Sequence, residues 1–262
     1  IDIEKLYHLS DIKIKLDSNK RQHLLLTGKN GSGKTSLLLE IEKFLRAIND
    51  EKLSQVFDQY PTWINEAKKK VLSASSDSEK YAADKDLKQC LGFLKKYSDG
   101  VQINLNQYEG LEMMYHNGKF ITAYFPSERK AQFMRPNGVE NITLENTYGI
   151  DESAGDILLK YMVHLKTQQA YARNEGDQTT ANQIQKWFDR FDSALQILLD
   201  EESIHIEYDY KKYDFKIRQN GREPFSFNEL SDGYSSVIYI VSDLILRMDK
   251  NWLLEDKISE YD

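Results

Sequence analysis

Eight consecutive residues carry the clearest chemistry in this chain: Gly28, Lys29, Asn30, Gly31, Ser32, Gly33, Lys34 and Thr35. They fit the pattern Gly-x-x-x-x-Gly-Lys-Ser/Thr of a phosphate-binding loop. The residue types answer to the task. Glycines permit backbone conformations that a Cβ would hinder, so the loop can curl until several N–H groups converge on one anion. Lys34 supplies a full positive charge for the β- and γ-phosphates of a nucleotide. Thr35 supplies a hydroxyl for the Mg²⁺ that accompanies them, and Ser36 opens the next element. The implied cofactors are ATP and Mg²⁺, with Gly28 through Ser36 as the binding segment, Lys34 as a catalytic group and Thr35 as a metal ligand.

Such a loop works only between a strand and a helix, and the flanking residues suggest both. His23 to Thr27 is a short apolar run of buried-strand type, and Leu38, Ile41, Leu45 and Ile48 recur on one helical face. Upstream, Ile3, Leu6, Ile12, Ile14 and Leu16 alternate with polar residues in a strand-like way, with a turn at Asp17 to Lys20. Residues 41–98 are helical in composition, with joints at Pro61 and at a Ser-rich break over Ser73 to Ser78. Strand patterns are expected at Val101 to Leu105, then at Leu111 to Tyr115 and Lys119 to Phe125 around His116-Asn117-Gly118, an Asn-Gly hairpin signal. Two apolar stripes, Leu158/Met162/Leu165/Ala172 and Ile184/Trp187/Phe188/Phe191/Leu195/Leu198, predict an antiparallel helical hairpin broken at Gly176-Asp177. Strands follow at Ile204 to Tyr208 and Tyr213 to Ile217. A last helix runs through Val237, Ile240, Val241, Leu244 and Met248.

Bulk properties narrow the class. The 262 residues include 35 Lys and Arg against 42 Asp and Glu, a net charge of −7, so nothing pulls the whole chain toward nucleic acid. The single cysteine, Cys90, excludes an internal disulfide framework and a Cys-rich zinc site. No run of 18 apolar residues marks a membrane span and no signal peptide is visible, so a cytoplasmic location is expected. The sequence starts at Ile1, and further N-terminal residues are expected to precede it.

A second motif, Leu230-Ser231-Asp232-Gly233-Tyr234-Ser235-Ser236, stands some 200 residues after the loop. It resembles the signature segment of ABC-type ATPases, usually Leu-Ser-Gly-Gly. The acidic residue in its third position, with Asn30 in the phosphate loop, looks like the RecF/SMC branch. Tyr124-Phe125-Pro126-Ser127-Glu128-Arg129 is similar to a run in bacterial AAA-family proteins of the overcoming-lysogenization-defect and Septu-like anti-phage defence kind. The resemblance implies an α/β fold: a P-loop NTPase, an ABC-ATPase-like head with an N-terminal β layer and helical insertions. The head would comprise residues 1–40, 99–150 and 203–262, the helical insertion 41–98, and a hairpin or lid 151–202.

The resemblance also implies roles. Ser231 and Gly233 would bind the γ-phosphate held by a second head, so that ATP is buried in a homodimer. Glu128, or failing it Gln132, would approach Mg²⁺ and the attacking water. Leu195 to Leu199 followed by Asp200-Glu201 imitates the acidic strand that activates water in such enzymes, but it continues a helical stripe and precedes the signature, and we reject it. No Asp-Glu strand follows the signature by Asp262, so the chain is expected to be part of a longer protein. The expected function is an ATP-binding and ATP-hydrolysing head whose ATP-dependent dimerisation switches a partner or effector, such as a nuclease, in bacterial anti-phage defence. Two alternatives are a DNA-repair or chromosome-maintenance ATPase of RecF/SMC type, and a non-hydrolysing ATP-binding scaffold that recruits a nuclease.

Overall fold

The computed structural model describes all residues except 18, 19, 21, 107, 127–132 and 255–262, and describes 250–254 by backbone alone. It contains two compact units, Ile1–His116 and Asn117–Asp262. Helices account for 52% of the described residues, and the described strands form two small three-stranded sheets.

In the first unit, β1 (Asp2–Leu6) and β2 (Leu9–Lys13) form a tight antiparallel hairpin in which Ile3 faces Ile12 and Leu6 faces Leu9. The strand pattern expected for residues 1–16 is thus broken by a two-residue turn, Tyr7-His8. β3 (Val101–Gln102) pairs with the other edge of β1, and it is shorter than the strand expected over Val101 to Leu105. α1 (Lys34–Asn49) follows the glycine-rich loop. It buries Leu37, Phe44, Ala47 and Ile48, and Ile41 packs partly against the small cluster of Ile3, Leu6, Leu37 and Val101. The buried stripe is therefore shifted from the predicted one, and Leu38 and Leu39 face outward. Within α1, Glu40 and Glu42 are buried and pair with Lys43 and Arg46, one turn further along the helix.

A π-helical turn (Gln55–Gln59) leads into α2 (Tyr60–Ser73), and α3 (Asp77–Leu94) packs back against it. Both joints have the expected chemistry. Pro61 lies in the first turn of α2, where its missing N–H costs nothing. Ser76 caps α3 by accepting from the Glu79 N–H at 3.3 Å, and the Glu79 carboxylate accepts from Ser75 N at 2.9 Å.

Two strand expectations fail. His23 to Thr27 joins no ladder: Leu26 reaches the small core, but Leu25 is 83% exposed. An apolar run becomes a strand only if a neighbour takes up its N–H and C=O groups, and no described strand lies alongside it. The hairpin expected around Asn117-Gly118 is also absent. Leu111–His116 forms a one-turn helix, α4, with Tyr115 buried, and residues 119–126 pair in no strand. Gly118, at φ 66, acts as a left-handed stop after a helix and not as the corner of a hairpin.

The second unit has the larger core. α5 (Leu158–Asn174), entered through a 3₁₀ turn at Ala154–Ile157, and α6 (Gln178–Leu199) form an antiparallel pair. Asp177 caps α6 by accepting from Thr180 N at 3.0 Å. Their apolar faces do not close on each other alone. Met162, Trp187, Phe188 and Phe191 share one cluster with Phe215, Ile217 and Phe227, and with Ile238 and Leu246 of the last helix. β4 (His205–Asp209), β5 (Asp214–Arg218) and β6 (Phe225–Ser226) form an antiparallel sheet in which Tyr208 faces Phe215 and Ile217 faces both Ile206 and Phe225. Residues 195–199 lie in α6, and Asp200 closes that helix in the left-handed conformation at φ 51. The acidic-strand look-alike is therefore a helix end.

α7 (Asp232–Leu254) is fixed by a buried ion pair between Asp243 and Arg247. The Arg247 guanidinium also donates to the carbonyls of Thr122 at 3.1 Å, Gly149 at 3.1 Å, Tyr148 at 3.3 Å and Glu152, while Asp243 accepts from Gly155 N at 3.0 Å. One side chain thus gathers an otherwise irregular stretch onto α7, and its charge is compensated on every side.

Candidate functional site: the glycine-rich loop

The phosphate-loop residues lie wholly in the first unit. Three glycines stand at positive φ: Gly28 at 151°, Gly31 at 81° and Gly33 at 87°. At each of these angles a side chain is strained. Space adds to the restriction. A Cβ on Gly28 would come within 2.8 Å of Ser32 Oγ, and one on Gly33 within 3.0 Å of Leu9 Cδ1. Gly33 forms the N-cap of α1, with no side-chain cap, and the first turn holds no acidic residue. The first intrahelical bond runs from Leu37 N to Gly33 O at 2.9 Å. The N–H groups of Lys34, Thr35 and Ser36 therefore have no acceptor within the helix, and the positive end of its dipole is uncompensated.

Lys34 curls back over the loop. Its ammonium donates to Gly28 O at 2.8 Å, to Lys29 O at 2.9 Å and to Ser32 Oγ at 3.4 Å. The cation is thus held inside the arc that its own loop makes. Asn30, Gly31, Ser32, Gly33, Lys34, Thr35 and Ser36 line a cleft of about 550 Å³, together with Tyr7 and His8 of the β1–β2 turn. Those two residues were missed in the sequence. Their only signal was a pair of ring side chains between two strand patterns. Lys29 is exposed beside the loop, and Thr35 is exposed at the start of α1.

The donor set fits a nucleotide phosphate chain: backbone N–H groups, one ammonium and one hydroxyl, in a cradle that a Cβ at Gly28 or Gly33 would crowd. Among the described residues no group of three or more His, Cys, Asp or Glu could hold a metal ion. A magnesium ion here would be shared between the Thr35 hydroxyl and the ligand's phosphate oxygens, its usual manner of binding.

The other candidate residues lie in the second unit. Ser231 and Gly233 are exposed at the start of α7, and the Ser231 carbonyl accepts the first helical bond from Ser235 N at 2.8 Å. Ser231 thus occupies the N-cap position, with Asp232 and Gly233 in the first turn. Glu128 and Gln132 lie outside the described residues. No described helix is long and apolar enough to cross a membrane. A comparison of the chain with family models, curated proteins and solved structures found no match, and any assignment therefore falls on the geometry of the loop itself.

Proposed function

We propose that this chain is a nucleotide-binding head that holds the phosphate chain of ATP in the loop Gly28 to Thr35, with Mg²⁺ bound by Thr35, and that ATP drives association of two such heads. The observation that carries the reading is the Lys34 ammonium inside the arc of the loop, ahead of a helix whose N-terminus has neither side-chain cap nor acid. An anion that displaces the ammonium from Gly28 O and Lys29 O gains a charged partner and the free N–H groups of the first turn together.

In this reading Ser231 and Gly233 meet the γ-phosphate of the facing head. Hydrolysis of the bound ATP is part of the same proposal, with Glu128 as the water-facing group. Association of heads would switch a partner or an effector such as a nuclease. Resemblance alone supports the anti-phage setting, and the cytoplasmic location is proposed from the sequence.

The test is sedimentation of wild type and Ser231→Arg with a slowly hydrolysed ATP analogue and Mg²⁺. Wild type should gain mass with the analogue. The variant should bind the analogue but stay at its nucleotide-free mass, because the arginine fills the facing γ-phosphate site. Equal nucleotide-dependent mass in both removes residues 230–236 from the account. No mass gain in wild type removes ATP-driven association.

A further inference from the structure

The turn that faces the phosphate loop is less favourable than a plain hairpin needs. Two-residue hairpin turns favour Asn and Gly, because the chain passes through positive φ. Here the turn is Tyr7-His8, with Tyr7 at φ 53 and 80% exposed. Neither propensity nor packing explains a bulky ring there, and strain of this kind collects where a side chain must be presented. Both residues open onto the cleft lined by Asn30 to Ser36. His8 is the nearer to the loop: its ring atom Cε1 lies 3.5 Å from the position a Cβ on Gly33 would take. Cε1 sits between the two ring nitrogens, so both lie close to the loop's last glycine. Among the described residues nothing is hydrogen-bonded to either nitrogen, and His8 is exposed.

We infer that His8 is a ligand of the nucleotide's phosphate chain, donating a ring N–H to a phosphate oxygen from outside the glycine-rich loop. The inference rests on the nucleotide-binding reading and adds to it a residue from a different element. An imidazole always carries at least one N–H donor, and a hydrogen bond to an ionised phosphate is of the stronger kind. The hairpin also bears on glycine at position 33: Leu9 Cδ1 would crowd a Cβ there at 3.0 Å, and His8 Cε1 would touch it at 3.5 Å. The turn that packs against Gly33 thus brings the imidazole to the cleft.

The experiment is equilibrium binding of MgATP and of magnesium tripolyphosphate, which has the phosphate chain without base or sugar, to wild type, His8→Ala and His8→Gln. His8→Ala should weaken both ligands by about tenfold. His8→Gln keeps an N–H donor and should recover part of the loss for both. Thermal unfolding of the nucleotide-free proteins should be unchanged, because the side chain is exposed at a turn. Wild-type affinity of His8→Ala for both ligands overturns the inference and leaves the loop assignment standing. A loss confined to MgATP also overturns it, since the contact would then be to base or ribose. If wild type binds neither ligand, the loop assignment itself fails, and His8 with it.

Discussion

Two helices in this chain begin at proposed anion sites, and they are built in different ways. α1 starts after three glycines at positive φ, has no side-chain cap and carries no acid in its first turn. Its body is loosely buried, with Leu38 and Leu39 exposed. α7 starts at an ordinary N-cap position and puts Asp232 in its first turn. Its body is locked by Asp243 and Arg247, both buried. A helix N-terminus attracts anions through its unsatisfied N–H groups and its dipole, and a carboxylate in the first turn offsets part of that attraction. Under the proposed function the contrast favours α1 for the primary phosphate site, and α7 would add a contact only from a second molecule.

The comparison can be tested first in the body of α7. Asp249 is wholly buried, and its carboxylate oxygens have no hydrogen-bond partner among the described residues. Burial pushes its pKa up to about 6, while the Tyr161 hydroxyl and Trp187 indole nearby oppose the rise only in part. The folded state therefore binds this proton more tightly than the unfolded chain, in which a free carboxyl titrates near 3.9. The contribution of Asp249 to stability is greatest below the unfolded value and declines as pH rises from about 4 to about 6. Asp249→Asn should remove that decline and raise stability at pH 7.5 by up to about 3 kcal/mol. Urea unfolding of both proteins at pH 4.5 and 7.5 measures it. Equal pH dependence in the two would mean that this carboxyl is solvated, and that α7 is less firmly embedded than described.

A matched pair of glycine substitutions sharpens the contrast between the two N-termini. Gly33→Ala places a Cβ at φ 87 and against Leu9, and should cost about 1–2 kcal/mol of stability and most of the nucleotide affinity. Gly233→Ala meets open space in a helical turn, and should add roughly 0.5–1 kcal/mol of stability with the nucleotide affinity of the separate head unchanged. Thermal unfolding and nucleotide titration of the two variants give the signs. If both substitutions stabilise, the loop at 28–35 is an ordinary helix entry.

The two regions also differ in how far they could be read from sequence. In the second unit the stripes of α5 and α6 and the strands β4 and β5 lie where their periodicity places them, because these elements pack on their neighbours in the chain. α7 is helical as expected, but it buries Ile238, Tyr239 and Leu246 and leaves Val237 exposed, so its buried stripe is shifted from the expected one. The bonds of Arg247 to four carbonyls could not be read, since irregular backbone leaves no periodic trace. In the first unit the loop itself was legible from eight residues. The strand before it was not, because Leu24, Leu25 and Leu26 say only that the segment is apolar, and no described strand pairs with it. The Asn117-Gly118 signal misled for a related reason: a glycine at positive φ serves a helix stop as well as a hairpin, and local sequence does not separate them. His8 could not be found in advance, since its place beside Gly33 depends on how the β1–β2 turn folds over the loop.

The central claim is that the Lys34 ammonium, now bonded to Gly28 O and Lys29 O, is the group that receives a nucleotide's phosphates. Calorimetric titration of MgATP into wild type and Lys34→Ala tests it most directly. The charge-assisted bonds lost predict at least about a 100-fold fall in affinity, with the fold of the unit unchanged. Wild-type affinity in Lys34→Ala, or no binding by either protein, would contradict the assignment of residues 28–35 as a nucleotide site.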